Sequence, residues 1–266
     1  MADTMPPRFP LDAEWFDAIA RRVSRRRFDK RPVSTTCLNR LEERCDELSQ
    51  AAGSTRAVLV RETPHDVFTG FIGSYGKISG APSLVAFVGE DDASAGVGYL
   101  GEAVILDATL AGLSTCWIGG SFDAKSAGSV ADLARGERVF AVTPIGHATE
   151  EFGTAERLAH AVIKSRSRLA LGEIAPGNES WPSWAREAAE AVRLAPSGVN
   201  RQPWRLRVED DALVLGESPK PYWTAPIDFG IAMLHAELGA LHSGVVGRWE
   251  AASGTDVARF RAEARP

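Results

Sequence analysis

Apolar positions recur at helical spacing from the start of the chain. Trp15, Phe16, Ile19 and Val23 share one face behind Asp12 as a cap, and predict a first helix that carries the arginines of RRVSRRRF (21–28) at its C-terminal end before Pro32 stops it. Ser34 or Thr35 then caps a second amphipathic helix with Leu38, Leu41, Cys45 and Leu48 inward. A polar turn, SQAAGS, leads into the strand RAVLV (56–60), and SLVAFVG (83–89) reads as a fully buried strand. GYLGEAVILDATLAGL (98–113) is polar only at Glu102, Asp107 and Thr109, and a helix apolar on nearly all sides is interior. The short apolar run TCWIGG (115–120), a strand near 138–146 and a helix around 154–164 follow.

Near GEIAPGNESWPS (172–183) the text turns loop-like, and beyond it the order repeats: a helix at 184–194, a polar loop, the strand WRLRV (204–208) and a second interior helix, IDFGIAMLHAELGAL (227–241). Sliding that helix back by 129 places sets Gly230 on Gly101, Ala232 on Ala103 and Leu234 on Ile105. The pattern reads as a decayed duplication, with halves at 1–175 and 176–266 packed as one unit. Alternating helices and strands predict an α/β or α+β layered architecture.

Composition narrows the classes. At 266 residues the chain can bury a sizeable core, and its 44% hydrophobic and 24% charged residues are ordinary for a globular protein. A formal net charge of −5 argues against a general nucleic-acid binder. No eighteen-residue apolar run predicts a membrane span, and MADTMPPRFP is not a secretory signal, so a cytoplasmic protein is expected. Cys37, Cys45 and Cys116 form neither a disulfide framework nor a metal spacing, and no metal site is expected.

Three stretches could carry chemistry. On a helix Arg22 and Arg26 stack one above the other with Ser24 between them, a donor set that suits a phosphate; a solvated basic helix end is the alternative. In LAPSGVNRQPWRLRV (194–208), Pro196 breaks the preceding helix, Ser197 and Gly198 turn tightly, and Asn200 and Gln202 are amides flanked by prolines. Such a loop suits a flat, heteroatom-rich ring, or is an ordinary connection. Lys77 precedes a buried strand, where it either reaches an anionic ring edge or faces solvent. GVGYLG (96–101) matches a dinucleotide fingerprint, but EDDASA separates it from the strand and no acid-ended strand follows at about 20 residues. Gly98 and Gly101 are therefore read as close-packing positions.

Together these stretches resemble the FMN-dependent nitroreductase family, over about residues 15 to 243. RRVSRRRFDKRPV is similar to the family's opening Arg-x-Ser-x-basic-x-Phe segment on the FMN phosphate, which implies Arg22, Ser24 and Arg26 as ligands. APSGVNRQPW resembles the Pro-Ser-x-x-Asn-x-Gln-Pro-Trp loop along the isoalloxazine, implying Pro196, Ser197, Gly198 and Asn200 at the ring with Gln202 behind. GKISGAP resembles the segment whose lysine, here Lys77, approaches the flavin N1/O2 edge. GLSTCWIGGSF resembles the stretch whose backbone approaches N5 and O4, here Gly119 and Gly120 after Ile118. KSRSRL resembles a late basic pair on the phosphate, as Lys164 with Arg166 or Arg166 with Arg168.

The ring loop stands some 170 residues after the arginine segment, where ordinary members place it shortly after and use it across a dimer interface. The resemblance is therefore to a single-chain branch, two nitroreductase-like halves fused around one FMN site, for which a monomer suffices. It implies an α+β fold with a central mixed sheet and two buried helices. The implied activity is hydride transfer from NAD(P)H and a ping-pong passage of two electrons to a nitroaromatic or quinone, with Lys77, Gly119 and Gly120 nearest the reacting atoms. A flavin carrier or sensor, or a specialised flavin enzyme, is the alternative. The expected partners are small molecules, with no nucleic acid and no membrane.

Overall fold

The computed structural model describes residues 5–68, 78–149, 167–219, 222–252, 254 and 256–263. The first helix, α1 (Trp15–Arg21), buries Trp15, Ala18 and Ile19, and α2 (Thr35–Ala52) buries Leu38, Leu41, Cys45 and Leu48. Ser34 is the α2 cap, its side chain accepting from the Cys37 N–H at 3.3 Å. Strands β1 (Thr55–Val60) and β2 (Ser83–Glu90) pair antiparallel. The interior helix α3 (Ser94–Leu110) starts four residues earlier than its apolar pattern indicates, so GVGYLG lies inside a helix rather than at a strand-to-helix turn. A short α4 (Ala124–Val130) and β3 (Glu137–Ile145) follow. Then come α5 (Leu171–Ile174), α6 (Ser183–Leu194), β4 (Trp204–Glu209), β5 (Ala212–Glu217), α7 (Ala225–His242), β6 (Gly247–Ala251) and β7 (Asp256–Ala262). The helix expected at 154–164 lies outside the described residues.

The α+β class is as expected, but the strands do not form one central mixed sheet. Among the described residues they make two antiparallel sheets, one ordered β1-β2-β3 and the other β4-β5-β7-β6. The continuous apolar run of β2 follows from burial on both faces. Val85 and Phe87 point into the main core, while Leu84, Ala86 and Val88 point into a second cluster with Phe28, Cys116, Ile118 and Val142.

The main core is organised by α3 and α7, which cross in its middle and are buried on nearly every side. Their crossing depends on two glycines. A Cβ at Gly98 would overlap the carbonyl oxygen of Ile227, and one at Gly230 would overlap the carbonyl oxygen of Ala95. Only hydrogen fits between the two backbones. No described helix is long and apolar enough to cross a membrane.

Candidate active site

Beyond Arg21 the arginine segment is not helical. The last helical bond closes from the Arg22 N–H to the Ala18 carbonyl, and Arg22 itself is extended (φ −64°, ψ 125°). Residues 24–28 then run as a strand-like segment. The Arg25 N–H donates to Thr115 O at 2.8 Å, Ser79 N–H to Arg26 O at 2.9 Å and Phe28 N–H to Ser79 O at 2.9 Å. The expected stacking of Arg22 over Arg26 one helical turn apart is therefore wrong, because these backbone partners draw the chain out of the helix. An extended chain has a period of two, so Arg22, Ser24 and Arg26 still share a side, and all three line one cleft. Arg25 is directed elsewhere, with its Nη2 donating to Thr149 O at 2.6 Å.

The same cleft receives Ile118, Gly119 and Gly120 where the chain leaves its pairing with β3; Ile118 and Val142 exchange backbone hydrogen bonds of 3.0 and 2.9 Å. From the far half of the chain come Pro196, Ser197, Gly198 and Asn200. Their loop holds three non-glycine residues at positive φ, Val199 (45°), Asn200 (57°) and Gln202 (50°), a conformation that must be enforced by its surroundings. The enforcement is visible. The Gln202 N–H donates to Ser197 Oγ at 2.9 Å, and the Gly198 N–H donates to Asp228 Oδ1 at 2.9 Å. Gly198 also abuts Thr224, whose Oγ1 a Cβ there would overlap. Gln202 is buried behind the loop, its Oε1 accepting from the Leu169 N–H at 2.9 Å.

Arg168 lines the cleft too and is tied to the loop, with Nη1 donating to Asn200 Oδ1 at 2.8 Å. The Asn200 amide is in turn engaged by this segment, its Nδ2 donating to Ser167 O at 2.8 Å. Burial, with Arg22 and then Arg193 as like charges, lowers the Arg168 pKa to about 10. Arg22 is only 8% exposed; its Nε lies 3.6 Å from Glu102 Oε1 and makes no hydrogen bond. Three guanidiniums, those of Arg22, Arg26 and Arg168, thus line one cleft, a donor set whose chemistry suits an anion. Lys77, Lys164 and Arg166 lie outside the described residues, so the register of the late basic pair extends here only to the placement of Arg168.

Several residues in and behind the cleft are not signalled by any motif. Glu102, fully buried on α3, accepts from Trp117 Nε1 at 2.6 Å and sits 3.0 Å from His235 Nε2 of α7. His235 Nδ1 is 2.9 Å from the Ala191 carbonyl, which can only accept, so Nδ1 carries a hydrogen. A proton must then also lie between Nε2 and Glu102. This pair ties the two central helices together and places a carboxylate behind Arg22. Tyr222, Trp223, Thr224 and Asp228 line the other wall. Trp223 is 62% exposed, and its ring lies against Gly120. An aspartate in the first turn of an otherwise apolar helix was the available signal for Asp228, since a buried carboxyl needs partners.

The fold thus brings Arg22, Ser24 and Arg26 from near the start of the chain and the strained 196–202 loop from its far part to the walls of one cationic cleft. Comparison with known proteins supplies the family. A model of the family described as "Putative TM nitroreductase" matches residues 14–240, and the chain belongs to that family. A crystal structure described as a "putative nitroreductase" from Thermotoga maritima is similar over 95% of this chain and 96% of its own, at 22% identity and a TM-score of 0.60. Part of the chain is also similar to an FMN- and NADPH-dependent nitroreductase from a Sphingopyxis strain (19% identity, 62% of this chain and 97% of that one, TM-score 0.43). Another partial match is a nitroreductase with bound FMN from Bacteroides fragilis (18% identity, 52% and 89%, TM-score 0.40). No curated protein matches the chain.

Proposed function

We propose that the cleft binds one FMN, and that the protein takes hydride from NAD(P)H and passes two electrons to a small acceptor such as a quinone or nitroaromatic in a ping-pong cycle. The observation that carries this reading is the convergence of Arg22, Arg26 and Arg168 on the one cleft that the strained Pro196–Asn200 loop also lines. Arg22, Ser24, Arg26 and Arg168 fit a phosphate by donor type and number, and an anion there would offset the burial and the like charges that lower the Arg168 pKa. Pro196, Ser197, Gly198 and Asn200 would lie along the ring system. Gly119 and Gly120, following Ile118, would offer backbone N–H groups to its reacting edge, and Lys77 would face its N1/O2 side. When bound, the flavin supplies the two-electron chemistry; the protein orients it and sets its electrostatics.

The cleft belongs to the family's single-chain form in this reading, as a diverged duplication. What supports it is the order of elements: α2-β1-β2-α3, then a pairing segment at 114–118 and β3, against α6-β4-β5-α7, then β6 and β7. Segment 114–118 bridges to the β3 side of its sheet, at Val142 and Gly146, as β6 pairs with β7, so the neighbour order of the two sheets corresponds. The reciprocal approach of Gly98 to Ile227 and of Gly230 to Ala95 relates the halves by a shift of 132 rather than 129, and the same shift sets Trp117 on Trp249. The place related to the FMN cleft, beside Tyr99 and Trp249, is lined instead by Pro6, Pro7, Arg8 and Phe9, with the Phe9 ring centroid 5.2 Å from that of Tyr99. On this reading one chain holds one FMN.

The test is an absorbance spectrum of the purified protein from 350 to 500 nm, before and after NADPH. The reading expects flavin bands at about one FMN per chain that bleach with NADPH and return with a quinone. Bands that never bleach would favour a carrier, and a colourless protein that takes up no added FMN would refute the reading.

A further inference from the structure

Asp228 is a buried carboxyl whose Oδ1 helps to hold the loop through Gly198, and whose other oxygen the binding scheme leaves without a task. It is 3% exposed, lines the cleft, and makes two hydrogen bonds: Oδ1 accepts from the Gly198 N–H at 2.9 Å, and Oδ2 meets Thr224 Oγ1 at 3.0 Å. The charged and titratable groups lining the same cleft are Arg22, Arg26, Arg168, Cys116 and Tyr222; on the elements packed around it are Glu102 on α3, Glu187, Glu190 and Arg193 on α6, and His235 and Glu237 further along α7. Among the described residues none forms an ion pair with Asp228. A carboxyl so enclosed and without a cation keeps its proton into the neutral range. Accordingly burial raises its pKa to about 7, against the opposing hydrogen bonds from Gly198 and Thr224.

Thr224 makes this proton usable. A hydroxyl both accepts and donates, so a protonated Asp228 can donate to Thr224 Oγ1 while that hydroxyl donates onward into the cleft. The Thr224 methyl lies 3.8 Å from where a Cβ on Gly119 would stand, which puts this side chain beside the backbone assigned to the reacting edge of the ring. We propose that Asp228 and Thr224 form a proton relay that delivers a proton to the acceptor oxygen as the acceptor is reduced. The inference rests on the FMN reading above. For a quinone the balance is simple: reduced FMN gives one hydride, and the relay gives one proton. The product is the hydroquinone, FMN returns to its oxidised form, and Asp228 is left as a carboxylate that solvent reprotonates. In this scheme Thr224 touches the acceptor and Asp228 acts through it.

Two readouts test the relay. In the apo protein, infrared difference spectra of wild type against Asp228→Asn should show a protonated-carboxyl band that disappears as pH rises through about 7. In stopped flow, the rate at which a quinone reoxidises the reduced wild-type protein should fall as pH rises through the same range, while reduction by NADPH should lack that step. Asp228→Asn and Thr224→Val should each slow quinone reduction about 100-fold at pH 6 and flatten its pH profile, and Thr224→Ser should restore both. Absence of the band, or a yellow Asp228→Asn protein with the wild-type pH profile, would overturn the relay. Failure of the FMN reading looks different: the wild-type protein would be colourless and take up no flavin, and the relay would fall with it.

Discussion

Replacing Gly98 by alanine tests the crossing on which both walls of the cleft depend. The added methyl would stand 3.2 Å from the Gly230 Cα and 2.9 Å from the Ile227 carbonyl carbon, and would overlap the Ile227 oxygen. These atoms are backbone, so no rotamer change relieves the clash and the helices must separate. Overpacking of this kind costs about 1–3 kcal/mol, with rigid neighbours at the upper end. Against it stands the gain of about 1 kcal/mol from replacing glycine by alanine within a helix. The net loss should be about 2 kcal/mol, which for a chain of this size lowers Tm by roughly 4–8 °C. Urea denaturation followed by circular dichroism measures it directly. Gly230→Ala, meeting the Ala95 carbonyl, should behave alike, and the double variant should cost less than the sum, because one separation accommodates both methyls. A Gly98→Ala protein as stable as wild type would show that the helices do not cross at this distance.

Further outcomes follow from the site. Arg22→Ala or Arg26→Ala should weaken FMN binding by about 1.5–3 kcal/mol, or roughly 10- to 150-fold in Kd, as read by fluorescence quenching of added FMN. Glu102→Ala leaves Arg22 and His235 buried beside each other without their carboxylate and should cost about 3–5 kcal/mol in denaturant unfolding. The folded-state pKa of Asp228 is raised to about 7 from its ordinary 3.8, so its protonated form stabilises the fold fully below about pH 4. That contribution is lost as pH rises through 7, about 4 kcal/mol in all. Asp228→Asn should remove this pH slope, which a pair of urea titrations at pH 4.5 and 8 would reveal.

Much of the cleft was legible in the sequence, and the misses have physical causes. Arg22, Ser24 and Arg26 do line one cleft, although the spacing argument that grouped them used helical geometry. Alternation along an extended chain and the i, i+4 rule both put residues 22 and 26 on one side, and only the strand explains Ser24 as well. The strands β6 and β7 were missed because charge masks their alternation. In β7, Ala258 and Phe260 point inward while Arg259 and Arg261 pair with Glu209 and Glu250 on the exposed face. Asp228 and His235 were hidden inside an apolar run whose overall pattern correctly announced a buried helix; their roles arise from partners 30 and 133 positions away, which no local pattern encodes.

The central claim is that guanidiniums near the start of the chain and a loop from its far half grip one phosphate-bearing flavin. A calorimetric titration of the apo protein with FMN, repeated with riboflavin, asks this most directly. One FMN should bind per chain, and riboflavin, which lacks the phosphate that Arg22, Arg26 and Arg168 would meet, should bind at least 100-fold more weakly. Equal affinity for the two, or two FMN per chain, would contradict the account.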